Sequence, residues 1–166
     1  MMKAFDLSVG VFARGLTNLK VQLTKGEAHA SSHGMDPRAL PTAQLADDMY
    51  NLAVQVHWAG EGAKIAVHRL LGAASTLLAE EAKSFAELQE RLDATIAYLG
   101  TIAPEALEAG LDRTIEIPHR GGSKVFRGDR FLTEFAIPGF FFHLTAAYAI
   151  LRHQGVPLQK GDFMGA

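Results

Sequence analysis

An all-α fold, an antiparallel four-helix bundle with a small β-hairpin between its third and fourth helices, follows from three observations. Two segments carry seven or more apolar or small residues at alternating spacings of 4 and 3, and a third carries a shorter seam of the same kind. The stretch Phe131 to Gln154 is apolar around most of its circumference, with Glu134 its only certainly charged side chain before Leu151. A helix apolar on most sides is normally buried on most sides, so this fourth helix is expected to be the most buried. The segment between helices 3 and 4 changes to short β-branched alternation around glycines, which predicts the hairpin.

The first helix spans about residues 4–32. Its seam is Phe5, Val9, Phe12, Leu16, Leu19 and Leu23, narrowing to Gly26 and Ala30, where a neighbour can approach closely. Gly10 and Gly15 each cost roughly 1 kcal/mol against Ala in a helix interior. MDPRALPTAQ is a loop with room for one helical turn. The second helix is predicted from Leu45 to Leu71, with seam residues Leu45, Met49, Leu52, Val56, Ala59, Ala63, Ala66 and Leu70. Asp47 and Asp48 then fall in its first turn, where negative charge suits the helix dipole.

The third helix opens on Ser84-Phe85-Ala86-Glu87, a capping-box pattern, and carries Phe85, Leu88, Leu92, Thr95 or Ile96, and Leu99 inward. Pro104 to Ala109 can add a turn. Arg113 to Pro118 and Lys124 to Arg127 form the hairpin arms around His119-Arg120-Gly121-Gly122-Ser123. Asp129 is the expected N-cap of the fourth helix. The tail GVPLQKGDFMGA is expected to be non-helical, pinned by Leu158 and Phe163.

The 166 residues suit one domain, 1–166, with a core of ordinary size. A net charge of −2 argues against capture by nucleic acid or an anionic membrane. No cysteine is present, which removes disulfides, thiolate nucleophiles and cysteine zinc sites. MMKAFDLSVGVFARG lacks the pattern of a secretory leader, and no run reaches the roughly 18 uncharged apolar residues of a membrane span. A cytoplasmic location is expected. More apolar helix faces than one neighbouring layer can cover predict a homodimer.

His143 falls on the predicted seam of the fourth helix, Leu132, Ala136, Gly139, His143, Ala146 and Ile150. It is either a neutral, hydrogen-bonded core histidine or a ligand or acid/base group in a cavity. Pro138 removes a helical hydrogen bond and predicts a kink, and Gly139 beside it leaves a dent. That dent serves close helix packing or floors a pocket. Asp48, Gln55, Gly62 and Arg69 line up at 7-residue intervals beside the second seam. His57 and Trp58 fall on the opposite face, where His57 reads as a solvated or interface residue neighbouring Glu61. His29 and His33 read as structural. Gly121-Gly122-Ser123-Lys124 lacks the spacing of a P-loop, and no nucleophile elbow, dinucleotide fingerprint or zinc helix is present.

FFFHLTAAYAILRHQGVPLQKGDF, with QLADDMYNLAVQV earlier, resembles a bacterial family known as a domain of unknown function, number nineteen-ninety-three in that series. That family is similar to the DinB/YfiT-like superfamily, and the resemblance covers essentially the whole chain. It implies a four-helix bundle, frequent homodimers, and a divalent metal held by three histidines, in some members for thiol-dependent transferase or isomerase chemistry. The superfamily's helix-4 pair falls on Gly139 and His143, and its helix-2 ligand falls on Gln55, with His57 two residues away. With one of three histidines in place, no tightly bound catalytic metal is expected, and His143 and His57 are weak candidates for one. Two function classes follow. One is a small-molecule site at His143, Gln55, Asp48, Pro138 and Gly139. The other is a non-catalytic dimeric interaction protein.

Overall fold

The three apolar seams become three long helices, which with the helical run 128–153 enclose one apolar core. The structure, a computed structural model, describes residues 3–74, 82 and 84–166; residues 1–2 of the N-terminal stretch read above lie outside them. The chain is mostly helical with a single two-stranded antiparallel sheet among the described residues. Its elements are α1 (Val11–Ser32), α2 (Ala39–Thr42), α3 (Leu52–Leu71), α4 (Phe85–Gly100) and α5 (Glu105–Glu108), followed by β1 (Thr114–His119), β2 (Gly122–Arg127), α6 (Gly128–Phe131), α7 (Ile137–His153) and α8 (Lys160–Met164). Asp6–Gly10 and Leu132–Ala136 are π-helical turns that continue directly into α1 and α7, and Ala109–Asp112 is a 3-10 turn.

In α1 the predicted seam from Val9 to Ala30 is buried throughout. Upstream of the π turn the inward residue is Ala4 rather than Phe5, because a π turn inserts one residue into the helical repeat. Gly15 has a packing reason: an added Cβ would stand 2.6 Å from the Phe140 ring. Gly26 likewise gives way to Leu151 and Phe85.

α3 begins seven residues later than the periodicity suggested. Asn51 is its N-cap, in extended conformation, and Oδ1 accepts from the Val54 N–H at 3.0 Å. An Asn that satisfies a first-turn donor stops the helix from extending backwards. Leu45 and Asp48 therefore lie in the irregular segment before it, both exposed. From Leu52 onward the seam is buried as read. α3 contacts α1, α4 and α7, and with neighbours on three sides it buries even Gln55, His57 and Glu61. It is more buried than the fourth helix, against expectation.

In α4 the capping box is formed, with Glu87 N–H on Ser84 Oγ and Ser84 N–H on the Glu87 carboxylate. Thr95, not Ile96, is the buried member of its seam. The hairpin has the register Ile115↔Phe126 and Ile117↔Lys124, closing at His119↔Gly122. β1 alternates, so Ile115 and Ile117 face the helices while Thr114 and Glu116 face out. Arg127, rather than Asp129, stands at the N-cap of α6; the Asp129 carboxylate instead accepts from the Arg130 N–H and the Arg127 guanidinium.

The π turn at Leu132–Ala136 decides how the last long helix sits. Beyond it the inward residues are Phe140, Leu144, Ala147 and Leu151, each one position later than the predicted Gly139, His143, Ala146 and Ile150, although Ala146 and Ile150 are also buried. One extra residue in the turn rotates everything after it by about 100°. The turn ends at Ile137, immediately before Pro138, whose missing N–H removes the ordinary α-helical bond there. The run 128–153 is, by length and composition, apolar enough to cross a membrane, and only 33% of its most apolar window is buried. Phe135, Phe141 and Phe142 are exposed on the single chain. The tail, expected to be non-helical, forms α8 under a capping box of Gln159 and Asp162. Leu158 is buried and Phe163 packs edge-on against Tyr148, as expected.

Candidate functional site

A second stripe runs along α3 beside its core seam: Trp58, Gly62, Ile65 and Arg69, again at spacings of 4, 3 and 4. It forms one wall of a groove of about 420 Å³. The opposite wall is Phe140 and His143 of α7 with Gly139 between the helices, and Phe131, Phe135 and Ala136 come from α6 and the π turn. Ile117 of β1 closes the end. Small-molecule sites commonly occupy about 300–1,000 Å³, mostly apolar with a few placed polar groups. Two glycines keep this one open: a Cβ added at Gly62 or Gly139 would meet no described atom within 4 Å.

The aromatic wall is held by its own contacts. Phe131 stacks on Phe135 with centroids 5.9 Å apart, and Phe126 of β2 packs against both. The Arg69 guanidinium lies over the Phe131 ring, 5.8 Å from its centroid. Burial pulls the Arg69 pKa below its ordinary value, although arginine stays charged at neutral pH.

His143 is half-buried, and its Nδ1 lies 2.8 Å from Gln55 Oε1. Gln55 is 1% exposed, and its Nε2 donates to the Tyr50 carbonyl at 3.3 Å. With the amide nitrogen committed as a donor, Oε1 must accept, so neutral His143 carries its proton on Nδ1 and its lone pair on Nε2. Nε2 is thus the nitrogen able to accept a hydrogen bond or a proton.

Burial depresses the His143 pKa below its ordinary 6.5. The sign of the linkage follows. Just below pH 6.5 the unfolded chain binds a proton that folded His143 does not. Stability therefore falls as pH drops through about 6.5 and levels off below the folded-state value. Urea melts at pH 7.5 and pH 5.5 are expected to show a larger acid loss for the parent than for His143→Gln. Equal losses would place the proton uptake elsewhere.

Of the predicted site residues, the structure brings His143, Gln55 and Gly139 together, with Gly62 and Arg69 of the same α3 line. Asp48 is not among them: it lies before α3, exposed. Pro138 is exposed and acts through the π turn that precedes it. Gly139 is exposed at the groove rather than packed in the core. His57 is 6% exposed rather than solvated, because α4 covers that face; its Nδ1 lies 3.4 Å from an Arg91 nitrogen, and Glu61 is buried against Lys64 at 2.7 Å. A larger furrow of about 660 Å³ lies on the α3–α4 surface, where Lys64, Glu90 and Arg91 line it together with Ala94, Thr95 and Tyr98. Trp58, read from the sequence as lying on the opposite face, instead lines the groove with Gly62 and Arg69, and Phe131, Phe135 and Ile117 were not singled out. The 4, 3, 4 stripe through Trp58 and Arg69 was the available signal.

Fold and groove together define a small, mostly helical protein with an apolar, ligand-sized cleft between two of its long helices. The family model described as Domain of unknown function (DUF1993) matches residues 4–164. A solved DinB family member protein from Shewanella denitrificans is 36% identical, with a TM-score of 0.89 over 98% of this chain and 92% of that one. No functionally curated protein matches the chain. The chain therefore belongs to the DUF1993 family and shares the fold of a DinB family member.

Proposed function

We propose that this protein, on a four-helix-bundle scaffold, binds a small molecule in the groove between α3 and α7 and does so without the three-histidine metal centre that the resemblance implies. The observation that carries this reading is the groove itself, apolar, bordered by the His143–Gln55 pair and left open by Gly62 and Gly139. The side chains do not fit a three-histidine centre. Gly139 has no donor atom, Gln55 Oε1 is engaged with His143 Nδ1, and His57 is buried on the α4 side of α3. Among the described residues no three of His, Asp and Glu come together. A catalytic zinc needs about three such ligands and an open position.

The test is Gly139→Leu, measured beside the parent in a thermal-shift screen of small organic compounds. The substitution puts a side chain into the groove, its Cβ meets no described atom within 4 Å, and it exchanges a poor helix former for a good one. The variant should melt no lower than the parent, contrary to what a buried Gly139 would have implied. Hits should stabilise the parent, by about 2.7 kcal/mol at a ligand concentration 100 times Kd, and leave the variant unmoved. Hits that stabilise both proteins equally place the ligand elsewhere.

A further inference from the structure

Resting on that groove as a ligand site, we propose that its occupant is an organic carboxylate with an apolar, preferably aromatic body, its acid group paired to Arg69 and its body laid along Phe135, Ile65 and Trp58. Arg69 carries the argument. It lines the groove, packs on Phe131, and its side chain makes neither an ion pair nor a hydrogen bond among the described residues. The half-buried guanidinium keeps its donors free for an acceptor entering the groove, and its planar fork matches a carboxylate.

Its position in the last turn of α3 offers a rival explanation, since cations suit a helix C-terminus. That role is already taken. Arg113 reaches across from the foot of the hairpin and donates to the carbonyls of Leu70 and Leu71, at 3.3 and 3.4 Å, where Gly72 ends the helix in left-handed conformation. Two arginines meet the same helix end, and only one of them serves its carbonyls.

The charge of the ligand follows from what accompanies Arg69. Besides Arg69, the groove is lined by no lysine, arginine, aspartate or glutamate. One guanidinium matches one negative charge better than a phosphate dianion, which usually draws several cations or a helix N-terminus. Phe135 and Ile65 offer apolar surface to the body of the ligand, backed by the buried Phe131, Phe140 and Ile117. Trp58 lines the same groove, and its indole N–H is buried without a partner. As the only tryptophan of the chain, it also reports directly on occupancy.

The experiment compares 4-phenylbutyrate with 4-phenylbutyramide, its neutral counterpart, by titrating Trp58 fluorescence at pH 7.5 in the parent, Arg69→Met and Arg69→Lys. The parent should bind the carboxylate at least tenfold more tightly than the amide. Arg69→Met should abolish that preference while leaving amide affinity within about twofold, and Arg69→Lys should keep part of it. An amide that binds the parent as well as the acid, or a preference that survives in Arg69→Met, overturns the carboxylate assignment and leaves the groove reading standing. Failure of both probes at millimolar concentration, with hits in the screen above indifferent to Gly139→Leu, overturns the two together.

Discussion

Gly128→Ala is expected to destabilise the protein by about 3 kcal/mol or more, at or beyond the upper end of ordinary overpacking. Gly128 starts α6, and its N–H donates to the Arg113 carbonyl at 2.8 Å. A Cβ there would be driven into the carbonyl group of Gly110, and a Cβ on Gly110 would in turn be driven into the carbonyl of Leu70 at the end of α3. The obstacles are backbone atoms, so no rotamer change relieves them. Three segments, the end of α3, the 3-10 turn at Ala109–Asp112 and the start of α6, meet here with no side chain between them. Urea denaturation of Gly128→Ala, Gly110→Ala and the double variant checks this. The double should cost less than the sum of the singles, because both disturb one contact. A Gly128→Ala midpoint equal to the parent's would mean that these backbones part freely.

Phe131→Ala is expected to cost about 3–5 kcal/mol, the usual range for deleting a buried phenylalanine side chain. Phe131 is 1% exposed, packs against Phe126 and Phe135, and supports Arg69 from below. Its removal loses apolar burial and opens a cavity continuous with the groove, while Arg69 loses the ring under it. Denaturation should show the loss with the helical circular dichroism retained. A cost under about 1 kcal/mol would mean that Phe126 and Phe135 collapse into the space and that the wall is not rigid.

Much of the fold was legible because its causes are local. The Ser84–Glu87 capping box involves neighbouring residues and formed as read. The alternating seams of α1, α3 and α4 need only one apolar face, and nearly every seam residue within the helices is buried. The hairpin between α5 and α6 follows from β-branched alternation and two glycines. Where the reading failed, two local signals competed. Periodicity carried α3 back to Leu45, while the Asn51 side chain, bonded to Val54 N–H, ended it at Leu52. The tail's glycines and its proline hid a five-residue helix that the Gln159–Asp162 box closes.

The candidate site was legible in part. His143, Gln55 and Gly139 were picked out as candidates for an inter-helix pocket, with His143 and Gly139 placed on the inward seam. A single π turn places His143 and Gly139 at the groove instead, because one inserted residue changes the phase of every later position while leaving its composition untouched. The apolar seams and caps of the sequence by themselves determined that the chain is helical, where most of its helices lie and which faces of α1, α3 and α4 are buried. Only the tertiary structure decided which neighbours each face meets. It set α4 over His57, and it laid Arg113 rather than Arg69 on the end of α3. It also turned Phe140 inward and Gly139 out to the groove. The physical reason is that periodicity records burial against something, whereas the identity of that something depends on contacts between residues far apart in the chain.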